Sequence, residues 1–285
     1  MESGARLVAN QLVQDPMRLI LAVSFLLIST TAVAQSTEND LKARLIHKPL
    51  YLRGLWIDDD LQFDAAGKNS GSSGPTSFTI GGVEIDSLEL KPAALVLKGH
   101  RVGLEFKGNL PHRVGLKMRT PSGFGRHDEK MSIALAIPAG GNFTAALDAI
   151  FTDELADLVS SMPVEWQEFA SREVLHESAV QPTGEIHSDV HKIGAGHATA
   201  PVVLDAPTPE YSEAARGLAY SGKVLVYLQV NTAGIPMKVR IIKPAGVGLD
   251  ERAVDAVKAY KFNPAMEDGK PVPVEMNVEV NFRVY

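Results

Sequence analysis

Residues 272–285 read VPVEMNVEVNFRVY. From Val274 to Val284 every second residue is apolar: Val274, Met276, Val278, Val280, Phe282 and Val284. Between them stand Glu275, Asn277, Glu279, Asn281 and Arg283. Strict alternation of this kind marks a strand with one buried face and one wet face. Standing last in the sequence, the strand is expected to form the edge of its sheet, and an open edge is a liability unless something uses it. On this reading Val280→Pro removes an edge N–H and weakens the binding of a partner.

The residues before the strand show how its buried face is covered. In LDERAVDAVKAYKF (249–262) the spacing becomes helical, with Leu249, Ala253, Ala256, Val257 and Tyr260 in one stripe. Asp250 or the Gly248 region can cap this helix, acidic residues fill its first turn, and Lys258 and Lys261 lie near its end, as the helix dipole favours. Asn263-Pro264 stops it and MEDGKP (266–271) turns the chain. Upstream, GKVLVYLQV (222–230) places Val224, Val226, Leu228 and Val230 on one strand face. NTAG (231–234) is a hairpin turn in which Gly234 supplies a positive φ, and IPMKVRIIKPAG (235–246) is the return strand. PEYSEAARGL (209–218) is a short helix. The order is helix, strand, strand, helix, strand. Three strands with one apolar face, covered by a helix, leave a small antiparallel sheet with a free edge.

These residues resemble the C-terminal domain of TonB-type energy-transducing proteins across 207–285. The resemblance is carried by Pro209-x-Tyr211 with Ala214, Gly222-x-Val224, Gly234, Leu249-Asp250, Phe262-x-Pro264, Gly269-Lys270-Pro271-Val272-Pro273 and Phe282. It implies a docking module. An extended segment of an outer-membrane TonB-dependent transporter adds to the sheet edge at the last strand, with affinity from backbone hydrogen bonds and register from side-chain pockets. By the same resemblance Pro209, Glu210 and Tyr211 lie beside the docking strand. The partner-binding residues expected are therefore Pro209, Glu210, Tyr211, Met276, Val278, Val280, Phe282 and Val284. The alternative partners are another extended peptide, or a second copy paired through the last strand.

Ahead of this module, residues 36–175 read as one α+β domain, an antiparallel sheet followed by packing helices. SFTIGGVEIDSLEL (77–90) suggests a hairpin at Gly81-Gly82, and ALVLKGHRVGLEFKG (94–108) two strands broken at Gly99-His100. HRVGLKMR and KMSIALAIP continue the strands, and AAGKNSGSSGP (65–75) is a loop. In NFTAALDAIFTDELADLVSSM (142–162) the apolar residues fall on one helical face, with Thr152 or Asp153 able to interrupt it. Pro163 ends that helix or opens the next, where Trp166 and Phe169 share a face. Trp56 and Trp166 are expected core anchors of this domain. Residues 176–206 lose periodicity and read as a linker, with one short strand at Val202–Leu204.

At the N-terminus, MRLILAVSFLLISTTAVAQS (17–36) has a basic residue, an apolar run and Ala32-Val33-Ala34 before Gln35. This is the form of a secretory signal peptide with too short a core to span a bilayer comfortably, and Met17 is a candidate start. An exported protein of the periplasm or cell envelope is expected, anchored in the inner membrane if the segment is uncleaved. A full transducer of the TonB type carries an uncleaved membrane helix with a polar residue and a long proline-rich spacer. This sequence departs from it on both counts, which leaves open a soluble interaction or dimerisation module without energy transduction.

A net charge of −6 without Lys/Arg clusters argues against nucleic acid as a partner. The absence of cysteine excludes disulfides, thiolate metal sites and cysteine nucleophiles. No nucleophile elbow, P-loop or zinc-protease motif occurs, so no catalytic residue and no cofactor are expected. His176, His187, His191 and His197, with Glu185 and Asp189, sit in a linker that does not preorganise ligands. Asp58-Asp59-Asp60 with Asp64 lacks the glycine and terminal glutamate of a calcium loop. No metal site is expected.

Overall fold

The computed structural model describes residues 36–71, 77–119, 126–176, 190–194 and 197–284. The signal-like segment, residues 72–75 of the Gly/Ser loop at 65–75 and much of the 176–206 stretch lie outside these residues. The Thr37 hydroxyl accepts from the Asp40 N–H, and the Asp40 carboxylate accepts from the Thr37 N–H, both at 3.1 Å. This reciprocal capping box starts α1 (Glu38–Leu45), a helix the hydrophobic periodicity does not announce. There follow β1 (Leu50–Leu52), β2 (Asp60–Phe63), a 3-10 turn at Phe78–Ile80, β3 (Gly82–Leu90), β4 (Ala94–Lys107) and β5 (Leu110–Gly115). Then come β6 (Lys117–Arg119), β7 (Arg126–Asp128), β8 (Lys130–Ala136), α2 (Thr144–Ile150), β9 (Phe151–Thr152), a 3-10 segment at Leu155–Ser161 and α3 (Val164–Glu173).

Seven of these strands form one sheet in the order β2-β8-β4-β3-β1-β9, with β5 also paired to β4. Its pairs are antiparallel except β2 with β8, which run parallel. Two local expectations are corrected and a third holds. Gly81-Gly82 is not a hairpin, because Phe78–Ile80 is a 3-10 turn leading into β3. Gly99 does not break a strand either: β4 runs unbroken through 14 residues. Glycine stands there because a Cβ would lie 2.0 Å from the Glu84 carbonyl oxygen of the neighbouring strand. The apolar stripe at 142–162 is interrupted where Thr152 was suspected, with Phe151 and Thr152 pairing to β1 between two helical pieces.

In the C-terminal part, β10 (Val202–Asp205) pairs with β13 (Lys261–Asn263), so the strand foreseen at Val202–Leu204 exists. The other elements are α4 (Glu213–Leu218), β11 (Gly222–Val230), β12 (Pro236–Lys243), α5 (Leu249–Lys258), the hairpin of β14 (Ala265–Glu267) and β15 (Lys270–Val272), and β16 (Val274–Phe282). The antiparallel sheet has the order β12-β11-β16. Its apolar side holds Val224, Val226, Leu228 and Val230, all with no exposed surface, beside Leu249, Ala253 and Val257 of α5. Gly234 has φ +77°, and a Cβ there would also strike the Phe262 carbonyl at 1.8 Å. Position 234 therefore needs glycine for its conformation and for its space.

Residues 34–285 make one compact unit with two apolar cores. One lies between the large sheet and α1 and α2 (Leu45, Leu97, Ile133, Leu147, Ile150). The other joins the two regions: Phe78, Phe106, Trp166 and Phe169 pack in the same cluster as Val226, Ile241 and Val257. Backbone bonds cross at the same place. Because β3 begins opposite Val102, the end of β4 is left without that neighbour. Phe106 N–H donates to the Ala245 carbonyl at 3.0 Å, and Val247 N–H to the Leu104 carbonyl at 2.8 Å. Gly248 N–H donates to Thr79 Oγ1 at 2.8 Å. Arg240 pairs with Glu168, and Lys258 with Glu165. Trp166 is a core anchor, as expected, in the core common to both regions; Trp56 is half-buried, edge-on to Phe63 at 4.9 Å.

Candidate functional site: the open edge of the last strand

β16 keeps the predicted alternation: Val274, Val280 and Phe282 are buried, Met276 and Val278 half-buried, and Glu275, Asn277, Glu279 and Asn281 exposed. One side of the strand pairs with β11 in an unshifted register from Gly222↔Phe282 to Val230↔Val274. Among the described residues no strand pairs with its other side. A neighbour stands there at the start, where His191 N–H donates to the Pro273 carbonyl at 2.9 Å and His191 makes an isolated bridge to Val274. His191 Nδ1 also pairs with Glu267, which ties this short segment to the β14–β15 hairpin that precedes the strand.

Two bonds establish which backbone groups face outward. Pro273 C=O points away from β11, toward His191, whereas Val284 N–H points toward β11 and bonds Ser221 Oγ at 3.1 Å. Along a strand the N–H and C=O of successive residues point to alternate sides. The even-numbered residues 274–282 therefore direct their backbone groups into the ladder with β11. The odd-numbered residues direct theirs outward, and beyond the His191 bridge these are Asn277, Glu279 and Asn281. This reverses the proline expectation: the Val280 N–H belongs to the internal ladder, so proline there attacks the fold rather than the edge.

The residues foreseen for partner binding divide accordingly. Met276, Val278, Val280 and Phe282 send their side chains toward the core and hold the strand in place. Val284 is 46% exposed beyond the end of the strand. Tyr211 sets its ring edge-on to Phe282 at 5.4 Å, which brings the Pro209–Tyr211 segment to the C-terminal end of β16. Glu210 is exposed, 3.6 Å from Arg252. On the solvent face of the sheet Tyr227 Oη donates to Glu275 at 2.8 Å. Lys223 donates to Glu279 at 2.8 Å and holds that carboxyl below the usual carboxylate range. A shallow cavity of about 150 Å³ opens between Tyr227, Glu275, Met276 and Asn277. The sequence singled out the apolar members of the alternation and passed over Asn277, Glu279 and Asn281, because side-chain parity does not reveal which backbone edge is paired.

The architecture is that of a small α+β module with a three-stranded antiparallel sheet, a helix over one face and an open last strand. Residues 207–284 match the family described as Gram-negative bacterial TonB protein C-terminal, and this part of the chain is a TonB C-terminal domain. Two relatives are similar to part of the chain. Protein TonB of Vibrio cholerae serotype O1 is 27% identical over 97 residues, which cover 31% of this chain and 40% of that protein. Protein tonB2 of Pseudomonas aeruginosa is 33% identical over 82 residues, covering 28% of this chain and 30% of that protein. The chain thus spans less than half the length of either relative.

Proposed function

We propose that this is an exported, non-catalytic protein that acts in TonB-type transport across the cell envelope, and that its C-terminal domain receives an extended strand of an outer-membrane TonB-dependent transporter along β16. The observation that carries the reading is the row of outward backbone groups at Asn277, Glu279 and Asn281, on an edge of a TonB C-terminal domain that no strand among the described residues covers. Strand addition satisfies those groups at no cost to the fold, since every side chain needed to hold β16 is already packed inward. Tyr211 against Phe282 supports the far end of the same edge.

The test is titration with a synthetic transporter segment. Asn277→Pro and Glu279→Pro each delete one outward N–H at an edge position where proline is tolerated. Each is expected to weaken binding at least about tenfold, the equivalent of roughly 1.4 kcal/mol. Asn277→Ala keeps the N–H and should bind as the wild type does. Equal binding by all three variants would place the peptide elsewhere. A mass that doubles with concentration, and is held monomeric by the proline variants, would assign the edge to a second copy. N-terminal sequencing after fractionation of host cells separates two forms of the role. A chain cleaved after Ala34 and recovered in soluble periplasm is an accessory; an intact N-terminus in the inner membrane is a transducer.

A further inference from the structure

We propose that His47, Glu84 and Asp86 bind a divalent first-row transition ion of the zinc class on the outer face of the large sheet, with His100 positioning Asp86. Three elements bring these groups together. Glu84 and Asp86 flank Ile85 on β3; Ile85 is fully buried, so both carboxylates project to the opposite, wet face. The register shifts between Ile85 and Ser87, which makes Asp86 the extra residue of a bulge, a device that re-aims a side chain. His47 follows α1 in the left-handed region at φ +54°, and its N–H donates to the Ile85 carbonyl at 3.1 Å. This anchors the imidazole over the same spot. His100 stands directly across from Glu84 on β4.

The distances suit one small ion. His47 Nδ1 lies 3.3 Å from Glu84 Oε1, and one ligand atom from each of His47, Glu84 and Asp86 fall within 4.8 Å of one another. A tetrahedral ion with bonds of about 2.0–2.2 Å sets its ligands roughly 3.4 Å apart, so small side-chain rotations close the set. One nitrogen and two carboxylate oxygens leave the fourth position to water, and the imidazole selects a transition ion over calcium or magnesium. His100 Nδ1 sits 3.2 Å from Asp86 Oδ2 and its Nε2 4.0 Å from Glu84, the placement of an outer group that orients a ligating carboxylate. Charge points the same way. The ion pairs of Glu84 and Asp86 among the described residues are with His47 and His100. Two imidazoles neutralise two carboxylates only when both are protonated, whereas a divalent ion does so with both neutral. The histidines that cluster in the sequence lie in the 176–206 stretch, whereas this site joins positions 84 and 86 to residues 47 and 100, which no local pattern connects.

Calorimetric titration of the full chain with Zn²⁺ tests the site. The wild type is expected to bind one ion tightly and to melt at a higher temperature with Zn²⁺ present. His47→Asn keeps a residue that accepts the left-handed backbone, and Asp86→Asn keeps the shape. Each should weaken binding by at least about tenfold and abolish the thermal shift, and His100→Gln should lose roughly tenfold, as outer-group changes do. His191→Asn, remote from the cluster, should titrate as the wild type. Absence of zinc binding, or isotherms unchanged in His47→Asn and Asp86→Asn, would overturn the proposal and leave simple imidazolium–carboxylate pairs. A wild-type measurement makes the test independent of variant folding: Co²⁺ should broaden the amide signals of Ile46, Ile85 and His100 first. Broadening confined to residues 190–197 would assign the ion to other histidines and refute the site.

Discussion

Replacing Trp166 with alanine is expected to lower the unfolding free energy by about 3–5 kcal/mol, the cost typical of emptying a large buried aromatic site. The ring is fully buried, edge-on to Phe78 at 4.5 Å and to Phe169 at 5.7 Å, with Phe106 at 6.3 Å. Its Nε1–H donates to Glu251 Oε1 at 2.9 Å, so truncation opens a cavity and also leaves a half-buried carboxylate short of a donor. Trp166→Phe separates the two effects. It keeps most of the volume and loses only the N–H, for an expected cost of roughly 1–3 kcal/mol. Urea unfolding followed by circular dichroism and by fluorescence of the remaining Trp56 would measure both. Because Trp166 lies in α3 while Glu251 lies in α5, the two probes should move together. If Trp166→Ala loses less than about 1 kcal/mol, or the signals separate into two transitions, the common core does not couple the two regions.

Asp250→Ala should be nearly as damaging, at about 2–5 kcal/mol, because two buried N–H groups lose their acceptor at once. The Asp250 side chain has no exposed surface and accepts from Ala245 N–H at 2.7 Å and Gly246 N–H at 2.8 Å. Sequence placed this residue as a possible helix cap. In the fold it caps the loop before the helix, the same loop whose carbonyl and N–H groups meet β4. Burial foremost, then the adjacent Glu251, pushes the Asp250 carboxyl up to about 8, against the two N–H bonds, which lower it. Burial raises Glu251 as well. A raised folded value means that the folded state holds its proton more tightly than the unfolded chain. The associated stability is fully present below the ordinary carboxylate value, near 4, and is lost as pH rises through about 8. Unfolding free energies at pH 5 and pH 8 should therefore differ more for the wild type than for Asp250→Asn, which cannot ionise. Equal slopes would show that Asp250 is already charged in the folded protein.

The C-terminal domain was legible because its signals are local. Period-two runs at 222–230 and 274–284, a helical stripe from Leu249 to Tyr260 and Gly234 in its turn each occupy adjacent residues. The first region was harder to read wherever a residue answers to something distant. Gly99 looks like a strand break, yet it serves a close approach to the Glu84 carbonyl. Phe78, in what resembled one arm of a hairpin, is in a 3-10 turn that feeds the common core. The candidate edge was legible as a strand but not in its chemistry. The pattern shows which side chains are buried, whereas the direction of each N–H follows from the register with Gly222–Val230 and the bonds at Pro273 and Val284.

The backbone contact between Leu104–Phe106 and Ala245–Val247 has a mechanical consequence. A peptide strand added along β16 and pulled along its own axis would load the nine paired positions between β16 and β11 in shear, stretching their bonds together rather than one after another. From β11 and β12 the tension would pass into the loop at 245–247 and through its clasp into β4, the longest strand of the large sheet. Such a pull would be borne by a chain of backbone segments joined by hydrogen bonds, with the seven-stranded sheet as ballast behind the edge.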